Sequence, residues 1–298
     1  MRIATSQIYN RPASLMTQLS AEADRIQTQI ATGKRIQTAS DDPGAYLRLQ
    51  GIRQQTADDG AWSANIAMAQ GLLVQTDTTL ESVESQLQRA LELATQASTG
   101  TMSDTDRKAV AGELTAIRDA LFGLANTKDV RGQPMFGGAT GDVAYSKAAD
   151  GTISFAGSGE PSPIPIGEGV SVQGSVTGVR AFASGSSDMF AVLGDFAAAL
   201  EAGGDVKAAG NAALDGINAS LGSVSLARTS AGARAARLEL DADRIVDAGE
   251  ARESARKELE DTDITSAVTE LQKTLTILQA TQASFTRLTS LSLFDYLR

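Results

Sequence analysis

Apolar residues recur at alternating intervals of three and four along two long stretches of the chain. In the first stretch the repeat consists of Ile66, Ala69, Leu73, Thr76, Leu80, Val83, Leu87, Ala90, Ala94 and Ala97. This spacing is that of a heptad seam, the buried stripe of a coiled coil. It predicts one helix over about 62–98, which is roughly 55 Å long at 1.5 Å per residue. A helix of this length needs an equally long partner.

The second stretch lies in the C-terminal third and supplies that partner. Its repeat consists of Leu221, Val224, Arg228, Ala231, Ala235, Leu238, Ala242 and Ile245, and resumes at Ile264, Val268, Leu271, Leu275, Leu278, Gln282 and Phe285. Both stretches belong to one chain, so we expect them to form a helical rod by packing within the molecule. The predicted rod seam consists of Ile66, Leu73, Leu80, Val83 and Leu87 against Leu221, Leu238 and Ile245.

Two shorter helices complete the helical pattern. Near the N-terminus, Leu15, Leu19, Glu22, Ile26 and Ile30 mark a helix that ends before Gly33. Another is expected over 103–126, where the repeat consists of Val110, Leu114, Ile117, Leu121 and Leu124. Ser103 followed by Asp106 is a capping-box arrangement, which signals the start of that helix.

The middle of the chain has a different composition. From Gly137 to about Gly185 it is rich in Gly, Ser and Pro, and runs such as DGTISFAG and GEGVSVQGSVTGV predict hairpin strands. Residues 137–220 contain three basic and nine acidic residues, a net −6 of the total −10. We therefore expect a solvated, separately folded insert.

The predicted fold class is mainly α with a β-containing insert. A long, coiled-coil-like helical rod is built from both chain termini, and a small β-rich domain lies in the middle. The expected division has three parts: 1–43 with 258–298 as a terminal helical assembly domain, 44–136 with 216–257 as the rod, and 137–215 as a variable acidic outer domain.

The chain contains neither cysteine nor histidine. Disulfides, thiolate or imidazole metal sites and every Ser-His-Asp arrangement are therefore excluded. The remaining candidates for catalysis are acidic: Glu258, Glu260, Asp261 and Asp263. Asp263 precedes a helix as an N-cap, and we expect the others on a solvated face. We expect no enzymatic activity, no cofactor and no metal site.

Charge and hydropathy limit the partners. A net charge of −10 without a basic cluster argues against a nucleic-acid partner. No apolar run approaches the length of a membrane-spanning helix, and the opening MRIATSQIYNRP lacks the pattern of a cleaved signal peptide. We expect a protein that is cytosolic, or that leaves the cell by a route without such a signal.

One polar stretch, TGKRIQTASDDP over 32–43, invites a chemical interpretation. Gly33 suits the C-cap of the preceding helix, and Lys34 and Arg35 lie close enough to favour the negative end of its dipole. Asp42 before Pro43 fits an N-cap followed by proline at the first helical position. Asp41 and Asp42 are adjacent and point in different directions on a regular backbone, so helix punctuation is favoured over a metal or catalytic site.

The same stretch closely resembles the segment that joins the terminal helix to the long helices in bacterial flagellins and their relatives. Residues 100–138 and 258–298 resemble the members of that family that form the hook-filament junction. The ending SLSLFDYL is typical of those members, whereas flagellins usually finish on a Leu-Leu-Arg type of ending. The resemblance covers roughly 1–138 and 215–298. A flagellin is the alternative, and periodicity alone leaves a coiled-coil adhesin or phage fibre possible.

The resemblance implies a structural role in the bacterial flagellum. Such proteins form a short ring between hook and filament, with their terminal helices in concentric layers and variable domains facing out. Implied partners are hook-associated protein 1, flagellin, other copies of the chain and a flagellar export chaperone. The resemblance also implies an extracellular location at the hook-filament junction, reached unfolded through the flagellar type III conduit without a cleaved signal peptide.

The C-terminal helix has few charges for a solvated helix. Between Ala267 and Phe294 only Glu270, Lys273 and Arg287 are charged, which favours contact on more than one side over an ordinary amphipathic helix. We assign the assembly interface to both terminal helices. Its predicted residues are Leu15, Leu19, Ile26, Ile30, Leu271, Leu275, Leu278, Phe285, Leu288, Leu291, Phe294 and Leu297.

Overall fold

The computed structural model describes residues 2–99, 102–139, 141–184 and 187–296, with side chains described over 10–99, 102–139, 141–183 and 188–287. The helices are α1 (Arg2–Thr32), α2 (Pro43–Ser98), α3 (Asp104–Ala125), α4 (Gly178–Phe182), α5 (Met189–Ala202), α6 (Lys207–Glu260) and α7 (Ile264–Tyr296). The strands are β1 (Tyr145–Lys147), β2 (Ile153–Phe155), β3 (Pro163–Gly167), β4 (Val170–Gln173), β5 (Ala183–Ser184) and β6 (Ser187–Asp188), paired antiparallel as β1–β2, β3–β4 and β5–β6. The predicted mainly helical fold with a strand-containing middle is confirmed.

Helix α2 is longer than the sequence predicts. It begins at Pro43 instead of near residue 62 and has 56 residues, or about 84 Å. The Asp42 side chain caps its start by accepting a hydrogen bond from the Ala45 amide at 3.0 Å. The apolar repeat begins only at Ile66 and therefore placed the start too late, whereas the predicted Asp42–Pro43 cap marks the observed start.

Contacts group the chain into two compact units, 1–58 with 247–298 and 59–246. Each boundary falls within a long helix, α2 or α6. The three-part division expected from the sequence stays a prediction.

In the larger unit one core joins the middle of the chain to the helices. Phe136, Tyr145, Phe182 and Phe190 pack with ring centroids 4.9–5.9 Å apart. These rings belong to the same cluster as Leu80 and Leu87 of α2, residues of α3 and α5, and Val224 of α6. The middle residues share this core with the helices, where the sequence analysis expected a separately folded insert. Burial of the large rings against the helices stabilises both.

Hairpin β3–β4 covers a second part of the α2–α6 seam. Ile164, Ile166 and Val172 of the hairpin form one cluster with apolar residues of both helices, among them Ile66, Leu73, Ala231 and Leu238. The Arg234 guanidinium donates to the carbonyls of Gln173 at 3.0 Å and Ser175 at 2.8 Å. Alanine side chains leave this seam thin, and the hairpin supplies the missing apolar bulk.

In the smaller unit, α1 packs against α7. A small apolar cluster of Ile36, Ala45 and Leu49, with Tyr46 and Leu259 against it, lies at the adjoining ends of α2 and α6. Across the described part of the chain, every helix is too short or too polar to cross a membrane.

Candidate assembly surface

The terminal pair, which we define as residues 10–32 of α1 and 264–287 of α7, has a thin seam. Five of its side chains are buried: Ala23, Ile26, Gln29, Ala267 and Thr274. Helix α2 alone buries sixteen. Two of the five are alanine and two are polar, so this seam buries little apolar surface.

Apolar side chains lie exposed beside this seam. Leu15 and Ile264 are each 45% exposed, Leu275 and Ile277 are each 42% exposed, and Val268 is 38% exposed. Single exposed apolar residues are common, whereas several on one side of a helix are typical of an interaction surface. Ile264, Val268 and Leu275 share one side of α7, whereas Ile277 lies about 200° around the helix from Leu275. We call Ile264, Val268 and Leu275 the open face.

The predicted interface residues are thus distributed over two environments. The seam contains Ile26, with Leu19, Ile30, Leu271, Leu278 and Phe285 half-buried, whereas Leu15 and Leu275 are exposed, Leu275 on the open face. In α7 the buried and half-buried positions are Ala267, Leu271, Thr274 and Leu278, so Leu275 lies outside the seam of the pair. The side chains of Leu288, Leu291 and Phe294, and the whole of Leu297, lie outside the described residues.

The predicted rod seam is found in two clusters of the larger unit. Leu80, Val83 and Leu87 share one cluster, with Leu221 packed against it. Ile66, Leu73 and Leu238 share the other, with Ile245 packed against it.

One seam position is occupied by a cation. The Arg228 guanidinium bonds Asp77 at 2.8 Å and Glu84 at 2.7 Å, both on α2, and Glu81 lies 3.8 Å away. The hydrogen bonds to Asp77 and Glu84 raise the pKa of Arg228. An ion-pair network therefore joins α6 to α2 beside the apolar seam.

The stretch over 33–42, which we call linker 1, punctuates two helices. Gly33 follows α1 with φ of 70°, a conformation that glycine adopts without strain. Asp41 accepts hydrogen bonds from the amides of Thr38 at 2.9 Å and Gln37 at 3.0 Å, which lower the pKa of its carboxyl. Asp42 caps α2, which begins at Pro43. Both aspartates therefore have structural roles, as expected for a segment between two helices.

Linker 1 is bonded to residues 261–263, which we call linker 2. The Arg35 amide donates to the Glu260 carbonyl at 2.6 Å, and the Thr262 amide donates to the Gly33 carbonyl at 2.9 Å. The Arg35 guanidinium donates to the Leu259 carbonyl at 3.0 Å. Arg35 therefore interacts with the end of α6, not with the dipole of α1 as expected from the sequence.

Glu260 is a buried charged residue whose environment the sequence analysis misjudged. It was expected on a solvated face, but its side chain is only 1% exposed. Its Oε1 bonds Lys34 Nζ at 2.9 Å and Arg53 Nη2 at 3.1 Å, and its Oε2 bonds Arg256. Burial raises the pKa of Glu260, but hydrogen bonds from Lys34 and Arg256 outweigh it and hold that pKa below 4.5. We call this arrangement the Glu260 hub.

The other acidic candidates are also accounted for structurally. Asp263 caps α7, accepting from the Ser266 hydroxyl at 2.7 Å and the Thr265 amide at 3.0 Å, and these bonds lower its pKa. Glu258 and Asp261 are exposed. Within the described ranges, no group of three or more acidic residues is placed to hold a metal ion.

The chain is similar in sequence to flagellar hook-associated proteins and flagellins. The Salmonella typhimurium flagellar hook-associated protein 3 is 33% identical over 151 residues, which is 51% of this chain and 48% of that protein. That alignment therefore spans about half of either chain. The Escherichia coli flagellar hook-associated protein 3 is 29% identical over 321 aligned positions, covering 99% of both chains. A solved flagellar hook-associated protein from Vibrio parahaemolyticus has the same fold, with a TM-score of 0.69 and 22% identity over 74% of this chain and 100% of its own.

Family models match both helical regions. The bacterial flagellin N-terminal helical region matches residues 3–140, and the bacterial flagellin C-terminal helical region matches residues 214–297. The chain therefore belongs to the flagellin family.

Proposed function

We propose that this protein is a structural component of the bacterial flagellum that joins the hook to the filament. The observation that carries the proposal is the open face of the terminal pair beside its thin seam. Full-length similarity to hook-associated protein 3 of Escherichia coli supports the choice of position in the flagellum.

The physical argument concerns burial. Helices in water are held mainly by packing of an apolar face, and isolated helices are marginal. The terminal pair buries five side chains among its 47 described residues, so it needs further partners to cover the open face. Helices of neighbouring subunits have the matching length and chemistry.

The finer parts of the proposal concern partners and location. We place copies of this chain in a ring, in contact with hook-associated protein 1 on the hook side and flagellin on the filament side. A flagellar chaperone would hold the exposed apolar helices before export through the flagellar conduit. The ring would template the first layer of flagellin outside the cell.

Gene deletion tests this function against the filament-subunit alternative. Deletion should leave bare hooks under the electron microscope, while unpolymerised flagellin accumulates in the medium. Expression of the wild-type gene from a plasmid should restore filaments. If the deletion removes the main filament subunit itself, the chain is a flagellin. Normal filaments would overturn the proposal.

A further inference from the structure

We infer that Glu260 is a positioning residue. Its buried carboxylate holds linker 1 against the end of α6. As a result α1, which ends at linker 1, and α7, which begins after linker 2, lie side by side. Only the last step of this inference, that incorporation into the flagellum depends on the arrangement, rests on the proposed function.

The hub connects three separate parts of the smaller unit through one side chain. Lys34 belongs to linker 1, Arg53 to α2 and Arg256 to α6. Lys34 and Arg53 are about half exposed, at 48% and 46%, whereas the carboxylate between them is 1% exposed. A buried carboxylate is tolerated when it is paired and hydrogen-bonded, as here.

Only a carboxylate satisfies all three cations. Oε1 serves Lys34 and Arg53, and Oε2 serves Arg256. A glutamine could offer one oxygen, but its amide group would then point N–H bonds at a cation. Three positive groups would be left around a neutral side chain.

The backbone beside the hub joins the two linkers. Lys34 and Asp261 form an antiparallel bridge, closed by the Arg35-to-Glu260 and Thr262-to-Gly33 hydrogen bonds. Two hydrogen bonds make a short ladder, and exposed pairs of strands this short are not stable alone. The hub is attached to both sides of this ladder, through the Lys34 and Glu260 side chains, and so holds its strands in register.

Hydrogen exchange of two amides tests the positioning role without reference to the flagellum. The Arg35 and Thr262 amides report directly on the ladder, and Glu260→Gln should lower their protection at least tenfold. Lys34→Met should act in the same direction while leaving Glu260 paired with Arg53 and Arg256. Glu258→Gln is the matched control, since it removes the same charge from an exposed position two residues away, and should change protection less than threefold. The Met135 amide, bonded to the Thr127 carbonyl in the larger unit, should stay protected throughout.

A covalent link tests the step to assembly. The chain has no cysteine, and directly opposed antiparallel residues have Cα separations that suit a disulfide. Purified protein is added to cells that lack the gene, and filaments are counted. Glu260→Gln should reduce filament number at least fivefold, and the oxidised Lys34→Cys/Asp261→Cys pair in that background should restore it.

The outcomes separate the two proposals. Unchanged protection of Arg35 and Thr262 in Glu260→Gln would overturn the positioning role. Lost protection with normal filament number, or no rescue by the disulfide, would overturn the link from Glu260 to incorporation. Failure of the wild-type protein to restore filaments would count against the proposed function alone.

Discussion

Glu260 shows how folding can give a residue an environment that its neighbours in sequence do not indicate. Its three cations come from residues 4 to 226 positions away in sequence, so only the folded smaller unit brings them together. Burial alone would raise the pKa of the carboxyl; the surrounding donors lower it. The group is therefore ionised in the folded protein and stabilises it.

The sign of this shift predicts a pH dependence. A carboxyl whose folded pKa lies below 4.5 stabilises the fold above that pH, and the contribution is lost as pH falls through the folded value. At pH 7, Glu260→Gln should lower the free energy of unfolding of the smaller unit by about 2 kcal/mol. The difference from wild type should shrink as pH falls from 7 through the folded pKa of Glu260. Hydrogen exchange of α7 amides over this pH range measures it, and a difference independent of pH would contradict it.

Two glycines allow the energetic cost of an unfavourable backbone conformation to be measured separately from the cost of a steric clash. Gly132 and Gly138 have similar φ of 80° and 72°, where any side chain is strained. A Cβ at Gly132 would meet open space, but one at Gly138 would lie 2.5 Å from the Gly159 carbonyl oxygen.

We therefore expect Gly132→Ala to cost about 1 kcal/mol and Gly138→Ala at least about 2 kcal/mol more. Urea denaturation followed by the near-ultraviolet signal of the aromatic cluster is the measurement. Equal losses for the two variants would show that the contact between 138 and 159 is loose.

Individual residues also show which features the sequence can predict and which it cannot. Gly33, Ser103 and Asp263 were predictable because capping depends on neighbours within three or four residues. Ser103 does accept from the Asp106 amide at 3.2 Å, as its capping box predicts. Glu260 and Arg35 were misjudged because their partners are distant in sequence, and exposed and buried charges look alike in a helical pattern.

At the scale of elements, periodicity predicted the helices but not which stripe of α7 is buried. Leu271 and Leu278 follow the seam, whereas Val268 and Leu275 follow a neighbouring row with the same heptad spacing. Because both rows are apolar, the sequence pattern alone does not distinguish the buried row from the exposed row. Only the position of α1 distinguishes the seam from the open face.

This distinction predicts the effect of Leu275→Asp. Leu275 is 42% exposed, so the variant should keep α1 and α7 paired while filament number falls at least tenfold. The reason is that a buried, unpaired carboxylate is costly in an assembled interface. Leu226→Asp, at a 73% exposed position of α6 in the larger unit, is the matched control and should assemble normally. Normal assembly of Leu275→Asp would remove the open face from the proposal.

The α2–α6 pairing depends on charge as well as on the apolar seam. Arg228→Met keeps the apolar stem but leaves Asp77, Glu81 and Glu84 without their shared cation. We expect a loss of about 1–2 kcal/mol in urea denaturation. Arg237→Met removes a 61% exposed cation with one partner in its own helix and should cost less than about 0.5 kcal/mol. Similar losses for both variants would make the network no stronger than a surface pair.

At the scale of the whole molecule, the apolar core is unevenly distributed. The clusters that include the aromatic rings and the hairpin lie in the larger unit, whereas the terminal pair has a thin seam. Local stability follows the number of buried contacts. The chain thus combines a unit with large buried clusters and a terminal pair that buries little apolar surface.

Hydrogen exchange of the free protein should therefore show two levels of protection. Amides of 16–30 and 265–285 should exchange at least a hundredfold faster than those of 80–94 in α2 and 114–121 in α3, because opening the terminal pair exposes little apolar surface. In hooks carrying the assembled protein, the terminal amides should become as protected as the core, since neighbouring helices then cover the open face. Mass spectrometry of matching peptides from both samples makes the comparison. High protection of the terminal pair in the monomer would mean that it is stable alone, and coupling between docking and folding would then have no basis.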